Sequence, residues 1–248
     1  EKKMGMAVAD MAAAGSVSSR AMIELGVMKD ISRELPSLKD KSVFIMDPVY
    51  SPGGEAISFT YVRLGPAVNS NLVKPGEIQS HYDILDPKWK GKIAIRDPRL
   101  GSGSEPLSVT TFRYTKILGD DYFYRLAEQK PTLLGISSSE VAQMVARGEY
   151  AINWGGGIET QYAPIISQGA PLSVFPMKEG TIAQTSVVLT LANANHPNAA
   201  KLFLNWLLSA EGQRVYHEAK SITPFRKDVP DFSPPQIATL KFDKIIPF

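Results

Sequence analysis

The residues of this chain best suited to chemistry are short runs rich in hydroxyls and backbone amides, rather than acids, bases or thiols. Three such runs stand where an apolar stretch gives way to a helical pattern: Gly15-Ser16-Val17-Ser18-Ser19, Asp97-Pro98-Arg99-Leu100-Gly101-Ser102-Gly103-Ser104, and Ser137-Ser138-Ser139-Glu140. Free amides at a helix start attract an anion, and small residues let the backbone approach it. One serine suffices as a helix cap, so the neighbouring hydroxyls are spare donors. In open α/β sheets ligands collect beyond the carboxyl ends of strands, where all three runs would lie. The candidate ligand-binding residues here are Ser16, Ser18, Arg99, Ser102, Gly103, Ser104, Ser138 and Ser139. The competing reading of each run is a capped helix after a tight turn. Tyr61 and Arg63 end an apolar run and either face a ligand or edge a sheet. Trp154 precedes Gly155-Gly156-Gly157 and is either core or the wall of a site.

Other chemistries lack their residues. The 248-residue chain has no cysteine, which removes disulfides, thiolate metal sites and cysteine nucleophiles together. His81, His196 and His217 match no metal-binding spacing; His196 is expected at a helix start and His217 on a helix surface. Neither a phosphate-loop motif nor a nucleophile elbow occurs. The glycine triplet lacks the spacing and the later acid of a dinucleotide site. Asp120-Asp121 reads as a solvated turn. No enzyme active site is expected, and no cofactor. Lys+Arg 27 against Asp+Glu 25 gives a net charge of +2, so no basic field points to nucleic acid. No apolar run approaches the roughly 18 residues of a membrane span. The opening Glu1-Lys2-Lys3-Met4-Gly5 has no leader pattern, so an exported protein would have had its leader removed.

The elements that must position these loops alternate. Strands are expected over 42–46, 56–62, 92–96, 132–136, 150–154, 172–175 and 186–191, with a shorter apolar run at 6–9. Helical patterns carry Arg20–Leu25, then Leu107, Thr111, Tyr114 and Leu118, then Val141, Met144 and Val145. A further helix starts at His196-Pro197 and carries Leu202, Phe203, Trp206 and Leu207 as a wide apolar stripe, after which Ser209 caps another turn or helix through Val215, Tyr216 and Ala219. Alternation of this kind reads as α/β.

The stretch YDILDPKWKGKIA at 82–94 resembles a signature of bacterial extracellular solute-binding proteins, in particular the ferric-iron, thiamine and polyamine branch that serves ABC importers. The loop 97–104, the helix EVAQMVARGEY at 140–150, the helix at 195–213 and the turn at 223–230 resemble that family in the same order. The resemblance covers most of 67–230. It implies an α/β, two-lobe, periplasmic-binding-protein-like (type II) fold with crossover strands at 56–68 and 186–191. The expected division is 1–68 for the first part of lobe 1, 69–185 for lobe 2, and 186–248 for the return to lobe 1 and the C-terminal segment. Family members usually begin with a further strand–helix unit, so lobe 1 is expected to lack it. The implied function is a periplasmic or lipid-anchored receptor, a monomer that closes by a hinge on one ligand and docks on an ABC permease. Ferric-binding members carry adjacent tyrosines after the strand matching 150–154. Here Trp154-Gly155-Gly156-Gly157-Ile158-Glu159 stands there and Tyr162 is alone, so a small organic anion is favoured over Fe³⁺, with Glu159 a further candidate ligand-binding residue. The other readings are an α/β enzyme, such as a transferase, using the same cleft, and a signalling or scaffold module of the same fold.

Overall fold

The computed structural model describes residues 9–100, 104–240 and 244–247. The chain forms two compact units: one of 1–61, 184–219 and 223–232, the other of 62–183, 220–222 and 233–248. Two long strands, β3 (Ala56–Leu64) and β9 (Thr181–Leu191), each begin in one unit and end in the other.

In the first unit β9 is the spine. β1 (Met11–Gly15) and β2 (Met28–Lys29) both pair antiparallel with it, in the registers Met11↔Thr190 and Met28↔Leu191. β3 pairs with it as well. Alternate residues of β9 face opposite sides of a sheet, and both sides are covered. Val187, Leu189 and Leu191 pack with Met28 and Ala56, whereas Val188 joins Ile31, Phe44, Ile57, Phe59, Leu204 and Phe225. Helix α1 (Ser16–Glu24) follows β1 directly. The expected strand at 42–46 is instead a 3-10 turn, Lys41–Val43, because the Asp40 carboxylate accepts from both the Ser42 amide and hydroxyl, at 2.9 and 2.6 Å. The expected helix pair near the C-terminus is present. It comprises a helix (Pro197–Leu207) with Pro197 in its first turn, and a second (Ala210–Lys220) whose Gly212 amide donates to Ser209 Oγ at 3.1 Å. His217 is not on the surface. It is fully buried, with Nδ1 against the Gln213 carbonyl at 2.8 Å, because Gln213 itself turns inward to donate to Phe59 O and Leu207 O.

The second unit carries a sheet in the order β6-β5-β7-β4-β8: β4 (Ala67–Asn69), β5 (Ile93–Arg96), β6 (Thr132–Leu134), β7 (Ile152–Asn153) and β8 (Leu172–Val174). β5 runs parallel to β6 and β7; β4 is antiparallel to β7 and β8. Helices α2 (Ser104–Tyr114), α3 (Asp120–Glu128), α4 (Ser138–Ala146) and α5 (Glu159–Ser167) complete it. Ile93, Ala94 and Ile95 are buried in succession, as in a central parallel strand covered on both faces. The family-like motif explains how the chain enters that strand. Asp86 accepts from the Lys88 amide at 2.9 Å and closes a turn that buries Trp89, after which the Gly91 amide donates to Gln129 O.

Two expectations are corrected here. Asp120 and Asp121 are not a free turn but the first turn of α3, where acids complement the helix's positive end. The residues after 232 do not return to the first unit: β10 (Ile245–Pro247) pairs in parallel with Thr181–Ala183, and Ile246 packs in the second unit's core beside Ile182.

Candidate functional site

Because β6, β5 and β7 are parallel neighbours, their carboxyl ends share one edge of the second unit's sheet. From that edge the chain runs into α2, α4 and α5. The starts of three helices therefore gather beside three strand ends, the position at which such sheets hold ligands.

The donors at this edge are largely committed to one another. Ser104 Oγ accepts from the Gly157 amide at 2.7 Å, and Ser108 Oγ donates to Gly155 O at 2.9 Å, so the first turns of α2 grip the glycine turn after β7. Ser137 caps α4, its hydroxyl accepting from the Glu140 amide at 3.2 Å while the Glu140 carboxylate accepts from the Ser137 amide at 2.9 Å. Ser138 turns inward and donates to Glu105 Oε1 at 3.0 Å. Arg96 Nη1 lies 3.8 Å from Glu105 Oε2, and Arg96 Nε donates to Ile136 O at 3.1 Å. Burial pushes the Glu105 carboxyl above the usual carboxylate range, against the opposing pull of Ser138 and Arg96.

Next to this network Arg63 and Glu159 form an ion pair, with side chains 15% and 5% exposed, and the Arg63 amide donates to Glu159 Oε2 at 3.3 Å. The cavity beside them, walled by Tyr162, Val174, Phe175 and Thr181, measures about 20 Å³ and has room for a single water. Asn153 Nδ2 donates to the Tyr162 hydroxyl at 3.3 Å, which donates to Gly65 O at 3.4 Å. Burial, reinforced by the Glu105 charge, drives the Tyr162 phenol well above its ordinary value. Among the described residues no group of three or more His, Asp or Glu side chains is placed to hold a metal.

Of the residues singled out from sequence, Arg63, Ser104, Ser138 and Glu159 lie together on this edge, with Ser139 half-buried in the first turn of α4. Trp154 is core. It is 1% exposed, packs among Tyr122, Phe123 and His81, and donates from Nε1 to the Tyr122 hydroxyl at 2.7 Å. Arg99 is 79% exposed and folds back on Asp97, whose carboxyl it holds down at about 2. Ser102 and Gly103 lie outside the described residues. Ser16 and Ser18 begin α1 of the first unit, with their side chains outside the described part, and Tyr61 packs against that unit's own core. Glu105, Arg96 and Asn153 were not anticipated. The available signal was Glu105 at the end of the Gly-Ser run, where an acid reads as an ordinary first-turn residue.

Known proteins resemble the chain along its length. An uncharacterized protein of Haemophilus influenzae is 34% identical over 170 residues, 65% of this chain and 48% of that protein. The chain thus spans about half the length of this curated relative. The periplasmic binding protein AfuA from Actinobacillus pleuropneumoniae, solved with exogenous fructose-6-phosphate bound, is 27% identical at a TM-score of 0.72, covering 94% of this chain and 75% of that one. The substrate-binding protein of an ABC transporter from Agrobacterium tumefaciens (15% identity, TM-score 0.75, 100% of this chain and 73% of that one) shares the fold. So does iron-bound HitA from Pseudomonas aeruginosa (18% identity, TM-score 0.74, 98% and 76%). With its model matched over residues 5–242, the chain belongs to the family of bacterial extracellular solute-binding proteins.

Proposed function

We propose that the chain is the substrate-binding receptor of an ABC transporter and takes a small organic anion of the sugar-phosphate class. It performs no chemistry on its ligand. It acts outside the cytoplasmic membrane, as a monomer in the periplasm or on a lipid anchor, and hands the ligand to a membrane permease. Hinge bending within β3 and β9 accompanies binding.

One observation carries this reading: the helix starts and the Gly155–Gly157 turn assembled at the carboxyl edge of β6, β5 and β7, in a chain 27% identical to a protein solved with fructose-6-phosphate. Backbone amides at helix starts suit a phosphate, which takes several hydrogen bonds from groups that need no charge. The charged side chains of this edge are already matched, Arg63 with Glu159 and Arg96 with Glu105, and the Ser104, Ser108, Ser137 and Ser138 hydroxyls are engaged within the edge, which leaves recognition chiefly to backbone amides. Tyr162 stands alone where ferric-binding members carry adjacent tyrosines, which argues against a ferric site of the tyrosinate kind.

The test is native mass spectrometry of the purified protein, followed by titration with fructose-6-phosphate and, separately, with ferric citrate. A sugar phosphate in hundredfold excess over its Kd should stabilise the protein by about 2.7 kcal/mol, read as a rise in Tm. Stabilisation by ferric ion alone would overturn the anion class, and turnover of the sugar phosphate would overturn the receptor reading.

A further inference from the structure

Glu105 is a carboxylate with no solvent exposure, in the first turn of α2, and its surroundings come from several elements of the carboxyl edge. From α4, Ser138 Oγ donates to Oε1 at 3.0 Å and approaches Oε2 at 3.3 Å. At the end of β5, Arg96 places Nη1 at 3.8 Å. After β7, Gly156 leaves the space that Glu105 fills: a Cβ there would stand 2.4 Å from Glu105 Oε1 and 2.7 Å from Asn153 Oδ1. That Asn153 oxygen is fully buried and has no hydrogen-bond partner among the described residues. The phenol of Tyr162, on α5, feels the Glu105 charge as well.

A buried carboxylate is costly unless hydrogen bonds satisfy it. A leucine or methionine of similar size would fill the same space without that cost. What a carboxylate adds here is simultaneous attachment to segments that no apolar side chain can hold in register. Its own residue lies in the helix whose Ser104 and Ser108 hold the glycine turn.

We propose that Glu105 is a positioning residue: its carboxylate ties the starts of α2 and α4 to the end of β5 and packs into the space left by Gly156, so that these segments form one rigid edge and the spacing of the ligand-side amides is fixed without Glu105 touching the ligand. Its purpose rests on the receptor reading, whereas its geometry does not.

Hydrogen exchange of the full chain separates the two. Glu105→Ala should speed exchange, after correction for intrinsic rates, on the order of tenfold at the amides of 137–140 and 155–159, a loss near 1.4 kcal/mol of local protection. Amides of β4 and β8, and those of the first unit, should keep their wild-type rates. Glu105→Gln should restore protection, since its amide oxygen still accepts from Ser138 Oγ and its side chain still fills the space beside Gly156. Ser138→Ala, a milder change if Glu105→Ala fails to fold, should loosen 137–140 selectively. Uniform loosening of the second unit, unchanged rates at both junctions, or Glu105→Gln behaving like Glu105→Ala would each overturn the proposal. Titration of wild type with fructose-6-phosphate stands apart from these rates. No binding together with local loosening in Glu105→Ala would sink the ligand class and leave the positioning role intact.

Discussion

At the scale of single residues, burial rather than charge pairing sets the behaviour of the carboxyl edge. Glu105 has a folded-state pKa raised above its ordinary 4.5, with desolvation the largest cause. A raised carboxyl pKa means that the folded protein is penalised at neutral pH, where the group is ionised; the penalty fades as pH falls toward the unfolded value. Wild type should therefore gain Tm relative to Glu105→Gln as pH falls from 7 toward the unfolded value of 4.5. If wild type instead loses ground on acidification, attraction to Arg96 outweighs desolvation. Tyr162 supplies a second prediction at this scale. Its hydroxyl makes only long contacts, at 3.3 and 3.4 Å, so Tyr162→Phe should cost about 1 kcal/mol in urea unfolding. Adding ferric ion to wild type should produce no phenolate-to-iron absorption band. Such a band, lost in Tyr162→Phe, would return the chain to the ferric class.

At the scale of elements, the glycine turn after β7 decides whether the edge can form. Gly157 has φ +94°, and a Cβ there would stand 2.1 Å from the Tyr162 ring. Gly91 also has positive φ, at +73°, yet nothing lies within 4 Å of its would-be Cβ. Gly91→Ala should cost about 1–2 kcal/mol, the conformational penalty alone. Gly157→Ala adds a clash with a buried ring and should cost about 3–5 kcal/mol by denaturant unfolding. Equal costs would mean that α5 shifts freely, and the turn would then not be a fixed part of the site. The same turn shows what the sequence makes legible. β3, β5, α2, α4 and the helix pair near the C-terminus announce themselves through apolar periodicity and capping residues, and the DPKWKG motif carries the family. α5 is hidden because it follows three glycines and contains Pro164, which interrupts the helical pattern. The inward-facing roles of Ser104 and Ser138 are hidden for a different reason. A hydroxyl at a helix start looks the same whether it meets a ligand or a carboxylate brought from another helix. Trp154 is likewise ambiguous until Tyr122 arrives from α3 to accept its N–H.

At the scale of the whole molecule, each unit has its own hydrophobic core and each buries one histidine in neutral form. His217 in the first unit and His81 in the second are both driven down to about 4, burial being the largest cause for each. A lowered histidine pKa gives stability that is complete above the unfolded value near 6.5. It drains away as pH falls toward 4, at up to about 1.4 kcal/mol per pH unit for each group. The lowered carboxylates, among them Asp40, Glu77 and Asp97, begin from ordinary values of 3.8 to 4.5, so their contribution is lost at lower pH. Glu105 changes in the opposite direction on acidification. Between pH 6.5 and 5, then, the histidines are the groups whose titration destabilises the fold. Calorimetry over that window should show Tm falling in wild type, and His217→Gln should flatten the part of the fall that belongs to the first unit. Two units need not melt together, so resolved transitions would let each be assigned by its own histidine variant. If His217→Gln leaves the pH slope untouched, the imidazole must gain its proton without cost in the folded protein. Its Nε2, buried and with no hydrogen-bond partner among the described residues, would then need an acceptor that the packing around Gln213 does not supply.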